Sequence, residues 1–231
     1  MVPHPLIITI DGPSGTGKST AARTLAKKLG YLYLDTGAMY RAFALKALRK
    51  GVDLKDGKAL ARLAGRTEVS FRIDPGRTMK VLLDKEDVTR EIRSPGVSEA
   101  ASLAAAVPGV RRALVRQQQR IGSKGRVVAE GRDTGTVVFP GAQLKFYLTA
   151  SVEERARRRW KELRQNGHPV DLKEVMADIK RRDSRDRNRQ ASPLKVAKGA
   201  VRIDNTLLKS TQVIGKMLDY VHKIGKRGPG Q

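Results

Sequence analysis

From the amino terminus, apolar residues alternate between short continuous runs and helical spacing. Leu6–Ile10 is a run of mostly branched aliphatic residues between Pro5 and Asp11, the mark of a strand buried on both faces. The period changes from Lys18. Ala21, Ala22, Leu25, Ala26 and Leu29 recur at helical spacing, and Gly30 stops the helix. A second strand is expected at Tyr31–Leu34 and a second helix from about Gly37 to Lys50. Strand, loop, helix and strand in that order begin a parallel, doubly wound α/β sheet.

The middle of the chain follows a different rule. Val69, Phe71 and Ile73 alternate with polar residues, as do Met79, Val81 and Leu83. Between them, Asp74-Pro75-Gly76-Arg77 is turn chemistry, so a β-hairpin is expected in a region taken as an insertion at about 65–105. Ser94-Pro95 and Pro108 each look like a helix start. Buried-strand character returns at Arg126–Ala129 and Gln143–Leu148. Basic helices are expected at about 151–166 and 171–190, a last core strand at Ala200–Ile203, and a closing amphipathic helix at Ser210–Ile224.

Composition narrows the choices. The chain has 231 residues, enough for a core without covalent staples, and only 4% are aromatic, so aliphatic side chains must fill it. There is no cysteine, which excludes disulfides, zinc thiolates and thiol nucleophiles and agrees with a cytoplasmic location. No apolar run approaches the ~18 residues of a membrane span, and Met1–Pro5 lacks the features of a signal peptide, so a soluble, unprocessed protein is expected. The net charge of +24, from 47 basic and 23 acidic residues, points to polyanionic partners. A basic surface also serves solubility. Weak, non-specific nucleic-acid binding is expected from it rather than a primary nucleic-acid function.

Gly12-Pro13-Ser14-Gly15-Thr16-Gly17-Lys18-Ser19 matches the phosphate-binding pattern G-x-x-x-x-G-K-[ST] between an expected strand and an expected helix. Glycines let backbone N–H groups surround a phosphate at a helix N-terminus. Lys18 is placed for the β- and γ-phosphates of ATP, Ser19 for Mg²⁺, and Thr20 for an α-phosphate contact. The motif names a nucleotide, not a reaction.

Three later stretches bear on the reaction. Asp35-Thr36-Gly37-Ala38-Met39-Tyr40-Arg41 follows a strand end, where open α/β sheets bind ligands. There Arg41 can meet an acceptor phosphate, Thr36 and Tyr40 can add hydroxyl contacts, and Asp35 can hold metal-bound water. An arginine on a helix is by itself more often only surface. Glu130-Gly131-Arg132-Asp133-Thr134-Gly135-Thr136 suits polar ligand reading, or an ion pair that fixes a loop, equally well. Arg181 to Arg189 holds five arginines and two aspartates, with Arg182, Asp186 and Arg189 on one face if the stretch is helical. Arginine forks bind phosphate oxygens in pairs, but a solvated charge face or an RNA-binding patch has the same composition.

Taken together these stretches, with Asp87-Val88-Thr89, Glu91-Ile92-Arg93 and Gly131 to Pro140, resemble bacterial cytidylate kinase, a nucleoside monophosphate kinase of the P-loop class, from about Leu6 to His222. The resemblance implies a three-layer P-loop core at 1–64 and 106–231. It also implies a helical lid at about 160–195 and an inserted α+β nucleotide-binding subdomain at 65–105. It implies phosphorylation of CMP and dCMP by ATP with Mg²⁺. Ser102, Arg111 and Asp133 would read the cytosine edge, where an amino donor lies beside acceptors. Arg41, Arg132 and Arg189 would bind the acceptor phosphate, Arg182 the transferring phosphoryl, and Asp186 the ribose. Lys18, Arg132, Arg182 and Arg189 would carry the catalytic charge. Thr36 stands where the family commonly has serine, and Glu130 where it often has aspartate. A monomer is the family's expectation. The competing readings are a kinase for another small acceptor, such as UMP or shikimate, and an ATP-regulated RNA-binding protein.

Overall fold

The computed structural model describes residues 5–74, 79–165 and 167–226. The expected turn rests on Pro75–Arg77, which lies outside the described residues, as do Met1–His4 and the basic end beyond Lys226. The chain divides into two compact units. One comprises residues 1–34, 122–188 and 192–231, and the other residues 35–121 and 189–191.

The first unit is built on a five-stranded sheet in the order β2-β6-β1-β7-β8. Its strands are β1 (Ile7–Asp11), β2 (Leu32–Asp35, entering the second unit at its last residue), β6 (Val127–Gly131), β7 (Leu144–Thr149) and β8 (Val201–Asp204). β1 runs parallel to β6 and β7, and β7 parallel to β8. Ile8, Thr9 and Ile10 are all fully buried, so both faces of β1 are covered. Helix α1 (Lys18–Leu29) packs on β6 and against α8 (Ser210–Lys226), and Gly30 closes α1 in a left-handed turn. Helices α6 (Val152–Gln165) and α7 (Leu172–Asn188) form a hairpin with its own apolar seam of Ala156, Val175 and Ile179.

The second unit holds α2 (Thr36–Arg49), α3 (Gly57–Gly65), α4 (Pro95–Ala104) and most of α5 (Pro108–Gly122) around an antiparallel sheet. That sheet is β3 (Val69–Ile73), β4 (Met79–Leu83) and β5 (Glu86–Asp87). The register pairs Phe71 with Val81, as the alternation requires. Residues 65–105 lie inside this unit. Side chains tie its sheet to the flanking helices. Gln117 of α5 accepts from Val69 N and donates to Thr67 O, and Lys46 of α2 pairs with Asp84 at 2.6 Å.

The parallel core flanked by helices and the small antiparallel sheet are the architecture expected from the sequence. Helix α3 is an addition. Asp56 caps it by accepting from Ala59 N, and Leu60 and Ala64 bury one narrow face. Among the described residues, no helix is long and apolar enough to cross a membrane.

Leu25 is fully buried on α1. Leu25→Ala is expected to cost about 2–5 kcal/mol through lost transfer energy and a residual cavity. A drop in thermal melting temperature measures it, and an unchanged melting curve would contradict the packing described.

Candidate active site

The register of the parallel strands sets the geometry of the first unit. Asp11 lies level with Gly131 on one side and Tyr147 on the other, so β1, β6 and β7 deliver their following loops to one edge. The phosphate-binding sequence leaves β1 there. A Cβ on Gly12 would stand 2.1 Å from the carbonyl oxygen of Leu148, so only glycine passes this point without moving backbone. Gly15 and Gly17 have φ of 76° and 81°, the left-handed region. Gly17 then caps α1, and Thr16 is buried while Ser19 and Thr20 are exposed on the first turn. A loop of this shape closing on a helix N-terminus favours an anion.

Lys18 is buried, and its Nζ donates to Pro13 O at 2.6 Å and to Thr16 Oγ1 at 3.4 Å. Burial, then the nearby charge of Arg132, push the ammonium down to about 7, against the pull of Glu130, Asp186 and Asp11. Arg132 donates from Nε to Asp186 Oδ2 at 2.7 Å. Burial opposes the Arg132 charge, but Asp186, Glu130 and Asp183 together hold the guanidinium above its ordinary value. Glu130 accepts from the Tyr33 hydroxyl at 2.7 Å. The loop after β6 is fixed from beneath. Asp11 accepts from Thr134 N at 2.9 Å, Thr134 Oγ1 at 2.8 Å and Gly135 N at 2.7 Å. Burial nevertheless raises the Asp11 carboxyl, because three donors only partly replace water. Thr134–Val138 is a single π-helical turn, and Asp133 precedes it, buried.

In the second unit Asp35 caps α2, accepting from Ala38 N at 2.7 Å, and pairs with Arg41 at 3.1 Å. Thr36 and Tyr40 are buried on the same helix. Arg111 of α5 is buried, lies 5.2 Å from the centre of the Tyr40 ring and donates to Ala105 O at 3.2 Å. Ser102 is half-buried on α4.

Of the residues expected to form a site, Gly12 to Thr20, Arg132, Asp133, Arg182 and Asp186 belong to the first unit. Thr36, Tyr40, Arg41, Ser102, Arg111 and Arg189 belong to the second. Helix α7 ends at Asn188, where Leu194 N bonds back to Asp186 O; Arg182 and Asp186 lie within the helix, and Arg189 directly follows its last residue. Several residues that shape the site were not expected. Asp11 had a signal, being a lone carboxylate between an apolar strand and Gly12. Tyr33, Arg155, Arg158 and Asn205 had none, since their partners lie far away in sequence. Among the described residues no cluster of three or more His, Asp or Glu side chains could hold a metal ion.

Gly12→Ala is expected to destabilise the fold and abolish binding of a nucleotide triphosphate, because the clash is with backbone. Nucleotide titration by calorimetry checks it, and normal affinity would contradict the contact with Leu148.

The family model of cytidylate kinase matches residues 8–223. A cytidylate kinase of Pelotomaculum thermopropionicum is 53% identical over 220 residues, covering 95% of this chain and 97% of the relative. One of Vibrio cholerae is 48% identical over 221 residues, covering 96% and 98%. Among solved structures, an uncharacterized protein from Eubacterium ventriosum superposes with a TM-score of 0.51 at 12% identity, covering 95% of this chain and 99% of the other. That likeness concerns the fold alone. By its match over nearly its whole length, the chain belongs to the cytidylate kinase family.

Proposed function

We propose that this protein transfers the γ-phosphoryl group of ATP to CMP and dCMP, giving CDP and dCDP. The observation that carries the reading is family membership across residues 8–223. It does not favour a kinase for UMP or shikimate, or an ATP-regulated RNA-binding protein. The nucleophile is a phosphate oxygen that is already anionic, so no strong base is required. The barrier is the approach of two polyanions, and catalysis is positioning and charge neutralisation.

The residue roles are those that family membership implies, and the chemistry of each side chain supports them. The left-handed glycines and the buried Lys18 fit a triphosphate, and a Cβ at Gly12 would collide with the Leu148 backbone and displace the loop. Ser19 would hold Mg²⁺ together with phosphate oxygens and waters; the ion supplies charge neutralisation when bound. Lys18 binds the β- and γ-phosphates. Arg132 and Arg182 stabilise charge on the transferring group, and Arg132, Arg41 and Arg189 bind the acceptor phosphate. Asp35 orients Arg41 through their ion pair, with any contact to metal-bound water secondary to that. Tyr40 supports Arg111 from its ring face and Thr36 offers a hydroxyl. Ser102, Arg111 and Asp133 read the base, with Asp133 accepting from the cytosine amino group. Asp186, paired with Arg132, takes the ribose and sets the arginine's direction.

CMP and dCMP are expected to exceed UMP as acceptors by about two orders of magnitude or more in kcat/KM, because uracil leaves buried polar groups mispaired. Asp133→Ala should narrow the gap while lowering the rate. A coupled assay over a nucleotide panel checks both. Equal rates for CMP and UMP would reject the reading.

The lowered Lys18 value gives a prediction with a definite sign. Below about 7 the ammonium is charged in folded and unfolded chains, and its burial costs stability. As pH rises from about 7 towards the ordinary lysine value, the folded protein sheds that proton first and the cost is relieved. A bound triphosphate favours the charged form. ATP binding at pH 8 is therefore expected to take up a proton, and at pH 6 almost none. Calorimetry in buffers of different ionisation enthalpy measures the uptake. A Lys18→Met variant with the same uptake would assign it elsewhere.

A further inference from the structure

Arg155, on the first turn of α6, has no part in the roles assigned above. Its side chain is 3% exposed and touches three separate segments of the first unit. Nε donates to Ala150 O at 3.0 Å, at the end of β7. Nη1 donates to Ser14 O at 3.0 Å, inside the phosphate-binding loop, and meets Asp183 Oδ2 of α7 at 2.7 Å. Asp183 is next in sequence to Arg182 and three residues before Asp186. The loop also lies directly on α6, since a Cβ on Gly15 would come within 3.0 Å of both the Cβ and the carbonyl oxygen of Arg155.

A second thread runs beside the first. Arg158, three residues further along α6, donates to Asn205 Oδ1 at 3.1 Å and Asn205 O at 2.8 Å. Asn205 in turn donates from Nδ2 to Thr16 O at 2.5 Å. The α6–α7 hairpin is held as one piece by its apolar seam, with Trp160, Val170 and Met176 packed against it. Two carbonyl groups of the phosphate-binding loop are therefore tied to α6, and one of those ties continues through a guanidinium to α7.

We infer that Arg155 is a positioning residue that couples the phosphate-binding loop to α7, so that a nucleoside triphosphate in the loop orders Arg182 and Asp186. A guanidinium is suited to this because its planar fork holds several acceptors in fixed directions, which an ammonium does not. The ion pair with Asp183 is buried, so solvent and salt screen it little. The inference rests on reading Gly12–Ser19 as the nucleotide site, and not on the identity of the acceptor.

Removing Arg155 alone would strand a buried carboxylate, so the test uses two variants. Arg155→Met combined with Asp183→Leu removes both charges. Arg155→Lys keeps the charge and loses the fork. Hydrogen–deuterium exchange is followed with and without ATP and Mg²⁺, and CMP turnover is measured alongside. In the unmutated protein ATP should slow exchange both at the start of α1 and over residues 181–188 of α7. In both variants protection at α1 should persist while that at 181–188 falls by half or more. The kcat with CMP should drop about tenfold or more, with KM for ATP changed less than about threefold. The inference is overturned if ATP leaves α7 exchange unaltered in the unmutated protein, or if either folded variant keeps full protection of α7. If the double variant loses its fold, Arg155→Lys decides. Failure of the unmutated protein to use CMP would reject the proposed acceptor, while the exchange measurement would still decide the coupling.

Discussion

A buried ammonium sets the terms for the first unit. Lys18 is withdrawn from water, and its charge is tolerated only because carboxylates stand near it. Those carboxylates come from separate elements. Asp11 ends β1, Glu130 lies near the end of β6, and Asp186 comes from the last turn of α7. Each is restrained by other bonds: Asp11 by Thr134 and Gly135, Glu130 by Tyr33, and Asp186 by Arg132. Lys18 and Arg132 are thus set against Asp11, Glu130 and Asp186 before a ligand arrives. The arrangement also leaves Lys18 poised near neutrality of pH, where phosphate binding can govern its protonation.

Three loops converge on this balance because parallel strands end level. β1, β6 and β7 are in register at Asp11, Gly131 and Tyr147. The loop after β1 carries the glycines and Lys18, that after β6 carries Arg132 and Asp133, and that after β7 leads directly to Arg155. The backbone fit is tight enough that Gly12 and Gly135 have no room for a side chain, against Leu148 and Thr9 respectively. Rigidity at this edge and the helical hairpin fastened to it belong to one construction. The second unit keeps its cations by another route. Asp35 both caps α2 and pairs with Arg41, and the Tyr40 ring carries Arg111 on its face.

Much of this was legible along the chain. The phosphate-binding loop is local, so its pattern and its flanks identify it without tertiary knowledge. Helix α1 runs from Lys18 to Leu29 as its periodicity predicts. The strands show an instructive offset. Leu6–Ile10, Tyr31–Leu34, Arg126–Ala129, Gln143–Leu148 and Ala200–Ile203 were expected, and every observed strand starts one residue later and ends one or two later. Hydrophobicity marks the buried middle of a strand, while backbone pairing continues into the polar residues at the carboxyl edge. Asp11, Asp35, Thr149 and Asp204 are for that reason strand residues rather than loop residues. Helix α3 escaped because it is only nine residues long and buries just Leu60 and Ala64, too short a repeat to mark it.

By itself the sequence determined whatever depends on neighbours along the chain: the element types, the glycine-rich loop, the hairpin alternation and the motifs that mark the family. These are matters of backbone freedom and of side-chain period, and both are written locally. Tertiary structure alone decided which charges compensate one another. Arg132 with Asp186 spans 54 positions, Tyr33 with Glu130 97, and Arg155 with Ser14 141. Between such distant residues no periodicity exists to be read. Their partnership arises only when the sheet order β2-β6-β1-β7-β8 brings the strand ends together and burial makes an unpaired charge too costly to keep.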